Sequence, residues 1–270
     1  MQKNIGFIGA GNMAQAIIAG YLSQSTEMIG KLVATNRNPA KRQKLQVNHP
    51  GLALVDTNSQ LTQQVSVIVI GVKPKDIVGV CQEIAPQVND EHLIISLAAG
   101  VTLQKIADCF ETSPAIVRAM PNTPATMGQG MTGLYATETT TQTQRQLAEQ
   151  LFLQVGEILW LSSEQDMHAV TAISGSGPAY VFYFAECLIK AGIEQGLSAA
   201  AAKQLAIKTL QGAGDLLQNA TCEPSVLREQ VTSPGGTTEA ALKLLHEKQF
   251  VTIISEAVAK GCERSKTLGS

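Results

Sequence analysis

Charged and aromatic residues are both scarce in this sequence of 270 residues, at 16% and 4% of the chain. The formal net charge is only -2, and no basic run or interleaving of basic and aromatic residues occurs. Surfaces that bind nucleic acid need concentrated positive charge. We therefore expect a small-molecule ligand and no nucleic-acid partner.

Cysteine and histidine lack the spacing of structural or metal sites. The five cysteines are an odd number, widely scattered and without a C-x-x-C pair, which argues against a disulfide framework and against zinc. The four histidines are equally isolated. The sequence predicts buried free thiols and no metal site.

Long apolar runs are missing as well. No uninterrupted stretch is long enough to span a bilayer, and the first four residues lead directly into an apolar segment without the pattern of a signal sequence. The sequence predicts a cytoplasmic protein with no membrane partner.

The chain does contain an apolar segment that runs into closely spaced glycines, Ile5-Gly6-Phe7-Ile8-Gly9-Ala10-Gly11-Asn12-Met13-Ala14. This pattern is typical of a strand, a tight turn at Gly9, a close backbone approach to pyrophosphate at Gly11, and a helix start. The N–H groups and the dipole of that helix favour an anion. The alternative is a strand and turn that merely need small residues.

Further short apolar segments alternate with helical patterns through the first 162 residues. Together with the glycine motif they predict an α/β fold, an N-terminal Rossmann-type doubly wound sheet. Ligands of such sheets bind beyond the carboxyl ends of the strands. The segments expected to form strands after the first are Leu32–Thr35, Leu52–Val55, Val65–Ile70, Leu93–Ser96, Ala115–Ala119 and Leu134–Ala136, and Glu157–Leu161 is expected to close this part of the chain.

The end of the second expected strand indicates which nucleotide binds. An NAD enzyme usually places an acid there for the ribose hydroxyl, yet no Asp or Glu occurs between Glu27 and Asp56. Arg37 stands in this region, with Lys41 and Arg42 a turn later, which favours the 2′-phosphate of NADP. The alternative is that Arg37 is a solvated loop charge.

Helical patterns dominate from Glu164 onward, so we predict a Rossmann domain at 1-162 and an all-helical domain at 163-270. The helix expected over Tyr180 to Gln195 is apolar around most of its circumference, which predicts burial nearly all round. So much apolar surface in a small helical region indicates packing against a second copy of the chain.

Ser233-Pro234-Gly235-Gly236-Thr237-Thr238 forms a distinctive loop that leads into the helical pattern Glu239 to Leu245. Backbone N–H groups from Gly235 to Thr238, with three hydroxyls, suit a small carboxylate at the helix N-terminus. An ordinary Ser or Thr helix cap is the alternative, and the residues alone do not separate the two.

Earlier in the chain, Asn122 lies in a loop with two prolines that suits the framing of a polar ring, and we expect it to contact the cofactor.

The glycine motif, Gly71-Val72-Lys73-Pro74, Met120–Ala125, Ser174–Tyr180 and Glu223–Leu245 together resemble the pyrroline-5-carboxylate reductase family over nearly the whole chain, and Val231–Leu242 is the most family-specific piece. The resemblance implies reduction of 1-pyrroline-5-carboxylate to L-proline by NADPH or NADH, in a homodimer or a larger assembly of dimers.

The resemblance also implies roles for individual residues. Thr238 would be catalytic, contacting the ring nitrogen, and Ser233, Gly235, Gly236 and Thr237 would bind the substrate carboxylate. Asn58 would otherwise be interpreted as a helix N-cap. The implied nucleotide contacts are Ile8, Gly9, Ala10, Gly11, Asn12, Met13, Asn36, Arg37, Asn58, Gly71, Val72, Lys73, Pro74, Leu97, Ala98 and Ala99.

Two other functions fit part of this pattern. A β-hydroxyacid dehydrogenase needs a general base such as lysine, and no lysine occurs from Gly177 through Leu188. A non-catalytic NADP-sensing protein has no use for a carboxylate receptor such as Ser233 to Thr238. We therefore expect the reductase.

Overall fold

The computed structural model describes residues 3–23 and 29–269. Met1, Gln2 and Glu27, on which parts of the sequence interpretation rest, lie outside these ranges.

An eight-stranded sheet forms the centre of the first part of the chain. Its strand order is β3-β2-β1-β4-β5-β6-β7-β8, and every neighbouring pair is parallel except the antiparallel pair β6 and β7. Seven of these strands overlap segments that the sequence predicts as strands, and β8 falls on the segment expected to close this part of the chain. Their bounds are β1 Lys3–Ile8, β2 Ile29–Thr35, β3 Ala53–Leu54, β4 Val67–Ile70, β5 Leu93–Ser96, β6 Ala115–Met120, β7 Gly130–Ala136 and β8 Gly156–Trp160.

Helices connect these strands and make up the rest of the chain. Those that accompany the sheet are α1 Asn12–Leu22, α2 Pro39–Asn48, α3 Asn58–Thr62, α4 Ile77–Ile84, α5 Leu103–Ala107, α6 Gln142–Leu153 and α7 Asp166–Val170. Those that follow are α8 Gly177–Glu194, α9 Ala199–Asn219, α10 Pro224–Gln230, α11 Thr237–Glu247 and α12 Phe250–Leu268. Between α7 and α8 lies one π-helical turn, Thr171–Gly175.

Two apolar clusters bury the two faces of the sheet. One surrounds Phe7, Ile17 and Phe152, and the other surrounds Ile68, Ile77 and Ile94. The central strands β4 and β5 are buried at every residue, as their β-branched composition predicts. Helices therefore cover both faces, and the carboxyl ends of the parallel strands stay available for a ligand.

The chain divides into two compact units. The first runs to Ser176 and takes in the chain again from Lys260, and the second is Gly177–Ala259. The domain boundary expected near residue 162 stays a prediction, and the buried side chains of Met167 and Ala172, which follow it, belong to the first unit. The end of α12 also belongs to the first unit, which no feature of the sequence predicted.

Small residues allow helices of the second unit to pack closely. A Cβ added at Gly192 of α8 would lie 3.2 Å from Ala202 Cβ of α9, and Ala202 and Ala206 are buried. Burial of the helix over Tyr180 to Gln195 was predicted and is wrong for the single chain, since every residue of α8 is at least partly exposed. The apolar faces of this unit need another surface to cover them.

The cysteines are all free, but the expectation that they are buried is wrong for most of them. Cys81 is buried, whereas Cys187 and Cys222 lie exposed in the second unit. Among residues 3–23 and 29–269, no cluster of side chains has the composition of a metal site. None of the helices in these ranges has the length and apolarity that crossing a bilayer requires.

Candidate active site

The turn between β1 and α1 presents free backbone donors at the carboxyl end of the central strand. Gly9 adopts φ +81°, and its N–H donates to Thr35 O over 3.2 Å. Helix α1 begins at Asn12 with Gly11 as its N-cap, and no side chain caps it. Uncapped first-turn N–H groups at the positive end of a helix dipole form an anion site.

The glycines of this turn serve different purposes. A Cβ at Gly9 would lie 2.7 Å from Val72 Cγ1, and one at Gly71 would lie 2.7 Å from Gly9 O, so both glycines let two loops pack together. A Cβ at Gly11 would have only Gly71 O near it, at 4.0 Å. Gly11 therefore leaves open space beside the backbone, and the approach of a ligand there stays a prediction.

Two cavities of about 260 and 370 Å³ lie along this edge of the sheet and share Gly11, Gly71, Val72 and Lys73. We name them after the parts of the nucleotide that the sequence predicts there: the smaller is the ribose cavity and the larger is the nicotinamide cavity. The ribose cavity is lined by Ile8, Gly9, Gly11, Asn36, Arg37, Lys41, Asn58, Gly71, Val72, Lys73, Asp76 and Val80. The nicotinamide cavity is lined by Gly11, Asn12, Met13, Ala14, Gly71, Val72, Lys73, Leu97, Met120, Pro121, Asn122, Thr123 and Gly175.

The ribose cavity carries the cationic groups expected for a 2′-phosphate. Arg37 and Lys41 line it, and the Arg37 side chain is 76% exposed, 3.5 Å from Asp76. Arg42 has a different role, because its guanidinium pairs with Asp56 and donates to Asn36 O over 3.1 Å. Arg37 and Lys41 are thus available to an incoming phosphate, while Arg42 holds the loop.

Asn58 lies beside the ribose cavity but does not cap α3. The cap is Thr57, whose hydroxyl accepts the N–H of Gln60 while the Gln60 side chain returns to Thr57 N–H. Asn58 is 8% exposed, and its Nδ2 donates to Glu83 Oε2 over 2.8 Å. The N-cap interpretation of Asn58 is therefore wrong by one residue.

Asn122 ties together the loops that form one wall of the nicotinamide cavity. Its Oδ1 accepts the N–H of Met131 over 2.9 Å, and its Nδ2 donates to Ser174 Oγ over 3.1 Å. The side chain thus joins the end of β6 to β7 and to the π-helical turn. A direct contact between this amide and a cofactor stays a prediction.

Four of the expected nucleotide contacts do not line either cavity. Ala10 and Ala98 are buried in the two apolar clusters, at 2% and 6% exposure. Pro74 begins a short 3-10 turn, and Ala99 follows in the loop after β5. A contact from any of these four residues to a nucleotide stays a prediction.

The loop expected to bind a carboxylate leads into α11 in the second unit. Gly235 adopts φ +70°, and Gly236 N–H donates to Ser233 O over 3.0 Å. Gly235 N–H donates to the carboxylate of Glu239 over 2.7 Å. Gly236 is the N-cap and no side chain caps the helix, so the alternative of an ordinary Ser or Thr cap is wrong. Thr237 and Thr238 N–H in the first turn remain for a ligand.

Comparison with known proteins places this geometry in a family. The family model described as "Pyrroline-5-carboxylate reductase dimerisation" matches residues 164–268, and one described as "NADP oxidoreductase coenzyme F420-dependent" matches residues 4–100. The pyrroline-5-carboxylate reductase of Pseudomonas aeruginosa is 38% identical over 264 residues, covering 98% of this chain and 96% of that protein. The chain belongs to the pyrroline-5-carboxylate reductase family.

Solved structures of this family have the same fold. A pyrroline-5-carboxylate reductase from Coxiella burnetii is 36% identical and superposes with a TM-score of 0.92 over 100% of both chains. The Plasmodium falciparum pyrroline carboxylate reductase with NADP bound is 30% identical, with a TM-score of 0.86 over 99% of this chain and 98% of that one.

Several residues that line the cavities in this reductase were not anticipated. Asp76 and Val80 belong to the 3-10 turn and helix after Lys73, and Gly175 ends the π-helical turn. A Cβ at Gly175 would lie 2.5 Å from Met120 Cε, so this glycine permits the turn to pack on the wall of the nicotinamide cavity. The local signal that points to it is the alternating serine and glycine pattern Ser174-Gly175-Ser176-Gly177.

Proposed function

We propose that this protein reduces 1-pyrroline-5-carboxylate to L-proline with NADPH, the last step of proline synthesis. One observation carries the proposal. This chain has both a glycine turn at Gly9–Gly11 that suits phosphate and, separately, a helix α11 that starts at Thr237 without a side-chain cap. The first suits a dinucleotide and the second suits a small carboxylate.

The residues present fit a nicotinamide nucleotide. Gly11 leaves the backbone open to a pyrophosphate, and Arg37 and Lys41 supply cations for a 2′-phosphate. The chemistry supplied by the bound nucleotide is hydride transfer. NADPH is therefore the preferred cofactor, with NADH as a weaker one.

The loop Ser233–Thr238 holds and orients the substrate. Thr237 and Thr238 N–H, at the positive end of the α11 dipole, receive the carboxylate. This contact is remote from the carbon that is reduced, so its binding energy serves to position the ring. The Thr238 hydroxyl contacts the ring nitrogen and orients the imine.

A strong acid is not required in this site. A protonated imine already accepts hydride, and the hydride forms a new C–H bond while the C=N pair becomes the lone pair of the amine nitrogen. The nitrogen keeps the proton that it carried, so the protein needs only to orient the ring and to hydrogen-bond it.

Substitution of Thr238 tests this role. Thr238→Ala should lower kcat/KM at least about tenfold, since a hydrogen bond to a charged group contributes about 1.5–3 kcal/mol. NADPH binding should stay near normal, and Thr238→Ser should retain most of the activity. Turnover equal to that of the wild type would remove Thr238 from the mechanism.

The wild-type assay separates the candidate activities. Oxidation of NADPH, followed by its absorbance with 1-pyrroline-5-carboxylate present, is expected of the reductase. A β-hydroxyacid dehydrogenase would instead reduce the nucleotide with a hydroxyacid, and a nucleotide sensor would bind NADPH without turnover. Either of these results would contradict the proposal.

The proposal includes a homodimer, or a larger assembly built from dimers, through the second unit. The exposed apolar faces of α8, α9 and α12 support it, together with the dimerisation description of the matching family model. It includes neither a nucleic-acid nor a membrane partner, and it keeps the cytoplasmic location expected from the sequence.

A further inference from the structure

The C-terminal end of α12 is fixed in the first unit by a buried polar contact. Ser265 is 1% exposed and His168 of α7 is 9% exposed, and Ser265 Oγ lies 3.0 Å from His168 Nδ1. Cys262 Sγ donates to the backbone carbonyl of His168 over 3.5 Å. These contacts join residues almost a hundred positions apart in the sequence.

The same segment packs on the loop that follows β5. Gly100 adopts φ +80°, and a Cβ there would overlap the carbonyl oxygen of Ser265. Lys105 Nζ of α5 donates to Gly269 O over 2.6 Å. Only glycine at position 100 allows this close contact.

Helix α7 and the loop after β5, which both contact Ser265, are continuous with walls of the nicotinamide cavity. Leu97, three residues before Gly100, lines that cavity, and its N–H donates to Ile70 O over 3.0 Å. The π-helical turn begins directly after α7, and its last residue, Gly175, also lines the cavity. π-Helical turns are often found at functional sites.

Charged side chains strengthen the same region. Glu164 Oε1 accepts both the N–H of Leu103, at the start of α5, and the guanidinium of buried Arg118, over 2.7 and 2.6 Å. Arg118 lies on β6 opposite Ser96, the last residue of β5. The loop after β5 is thus fixed at one end by Glu164 and near its middle by the C-terminal segment.

We propose that Ser265 and His168 are positioning residues for the nicotinamide cavity, holding the loop Leu97–Gly100 and the turn Thr171–Gly175 in the arrangement that binds the nucleotide. The inference rests on the proposed NADPH-dependent reduction. Neither residue lines the cavity, so both act through the backbone that they hold in place.

Ser265→Ala tests this inference by removing the hydroxyl from a buried contact. The Kd of NADPH, measured by fluorescence titration without substrate, should rise about fivefold, in the range seen for residues that act without touching a ligand. The KM of NADPH should rise with it, while the KM of the imine substrate stays within about twofold. Hydrogen exchange at residues 97–101 and 171–175 should become faster.

Two variants distinguish positioning from a general loss of stability. His168→Asn places an amide where Nδ1 lies and should keep the NADPH Kd near the wild-type value, whereas His168→Ala should raise it as Ser265→Ala does. Ser255→Ala makes the same chemical change at an exposed position earlier on α12, and it should leave the Kd unchanged.

The outcomes separate this inference from the proposed function. A wild-type protein that does not reduce 1-pyrroline-5-carboxylate contradicts the function, whereas normal NADPH affinity and exchange in Ser265→Ala overturn the positioning role alone. If Ser265→Ala does not fold, Ser265→Cys supplies the same comparison. An NADPH Kd raised equally in His168→Asn and His168→Ala would also overturn it.

Discussion

Arg37 is the side chain on which we expect the choice between NADPH and NADH to depend. It lines the ribose cavity and pairs with Asp76 over 3.5 Å. An incoming phosphate competes with Asp76 for the guanidinium, and because a phosphate makes shorter, charge-assisted hydrogen bonds, it wins that competition. We therefore expect Arg37 to contribute to the affinity for NADPH and not to that for NADH.

Arg37→Ala should raise the KM of NADPH on the order of tenfold, which corresponds to about 1.4 kcal/mol of lost phosphate contact, and leave the KM of NADH unchanged. Steady-state kinetics with both nucleotides measures the ratio. Lys44→Ala is the matched control, since Lys44 is exposed on the same helix α2 but lines neither cavity. Equal effects on the two nucleotides would show that Arg37 does not contact the phosphate.

His168 should make the stability of the folded protein depend on pH in the acid range. Burial lowers the pKa of its imidazole, the positive charges of Arg118 and Lys266 lower it further, and Glu164 acts in the opposite direction. The folded state therefore binds the imidazole proton less tightly than the unfolded chain, where the pKa is about 6.5. The contribution of His168 to the free energy of unfolding is therefore fully present at higher pH. This contribution is lost as the pH falls below about 6.5.

The measurement is urea unfolding of the wild type and of His168→Asn at several pH values, from about 7.5 to about 5. The free energy of unfolding of the wild type should fall relative to that of His168→Asn as the pH decreases, because asparagine does not titrate. A constant difference between the two proteins across this range would show that His168 protonates equally in both states.

At the scale of elements, the connection between β1 and α1 contains two different glycines. One makes a turn with positive φ, and the other has open space beside its backbone. Gly9 is needed by the fold, because its φ of +81° and its contact with Val72 both exclude a side chain. Gly11 is expected to be needed by the ligand, because the space around its Cβ position is open. Two neighbouring glycines thus have separable effects.

Gly11→Ala should leave the melting temperature nearly unchanged and raise the Kd of NADPH about tenfold or more, since the added methyl occupies space that the pyrophosphate needs. Gly9→Ala should lower stability by roughly 1–3 kcal/mol through backbone strain and the contact with Val72. Thermal unfolding and nucleotide titration of both variants measure the two effects. A Gly11→Ala protein that binds NADPH normally would place the pyrophosphate elsewhere.

The sheet was predictable because each strand carries its own local signal. Buried parallel strands such as Val67–Ile70 and Leu93–Ser96 are short β-branched runs, and the glycines of the first turn have a fixed spacing. The cap of α3 was misplaced by one residue because Thr57 and Asn58 are both good capping residues. Only the Thr57–Gln60 pair completes a capping box, which is the detail that decides between them.

Other parts of the site carried no local signal. The contact of Ser265 with His168 spans 97 positions, and no periodicity links the two. The π-helical turn contains residues that also suit an ordinary helix or loop, so its serine and glycine pattern does not predict its backbone conformation. The spacing in the sequence suggests that Arg42 acts together with Arg37 and Lys41. In the structure, however, the guanidinium of Arg42 pairs with Asp56.

On the scale of the whole molecule, the second unit does not bury its own apolar side chains. Phe182, Tyr183 and Val251 are 62%, 68% and 70% exposed, and most of the exposed large apolar residues in the described chain lie between 177 and 259. Exposed apolar surface of this extent marks a protein interface. The apolar sequence of α8 predicts burial, and we expect a second copy of the chain to provide it.

Sedimentation velocity at micromolar concentration should show a dimer or a larger assembly, and Val251→Glu should shift it toward the monomer, because a buried unpaired charge opposes association. Leu153→Glu is the matched control. Leu153 is 51% exposed on α6 of the first unit, so the same change of chemistry there should leave the assembly intact. A wild-type monomer, or equal dissociation by both variants, would contradict an interface built from the second unit.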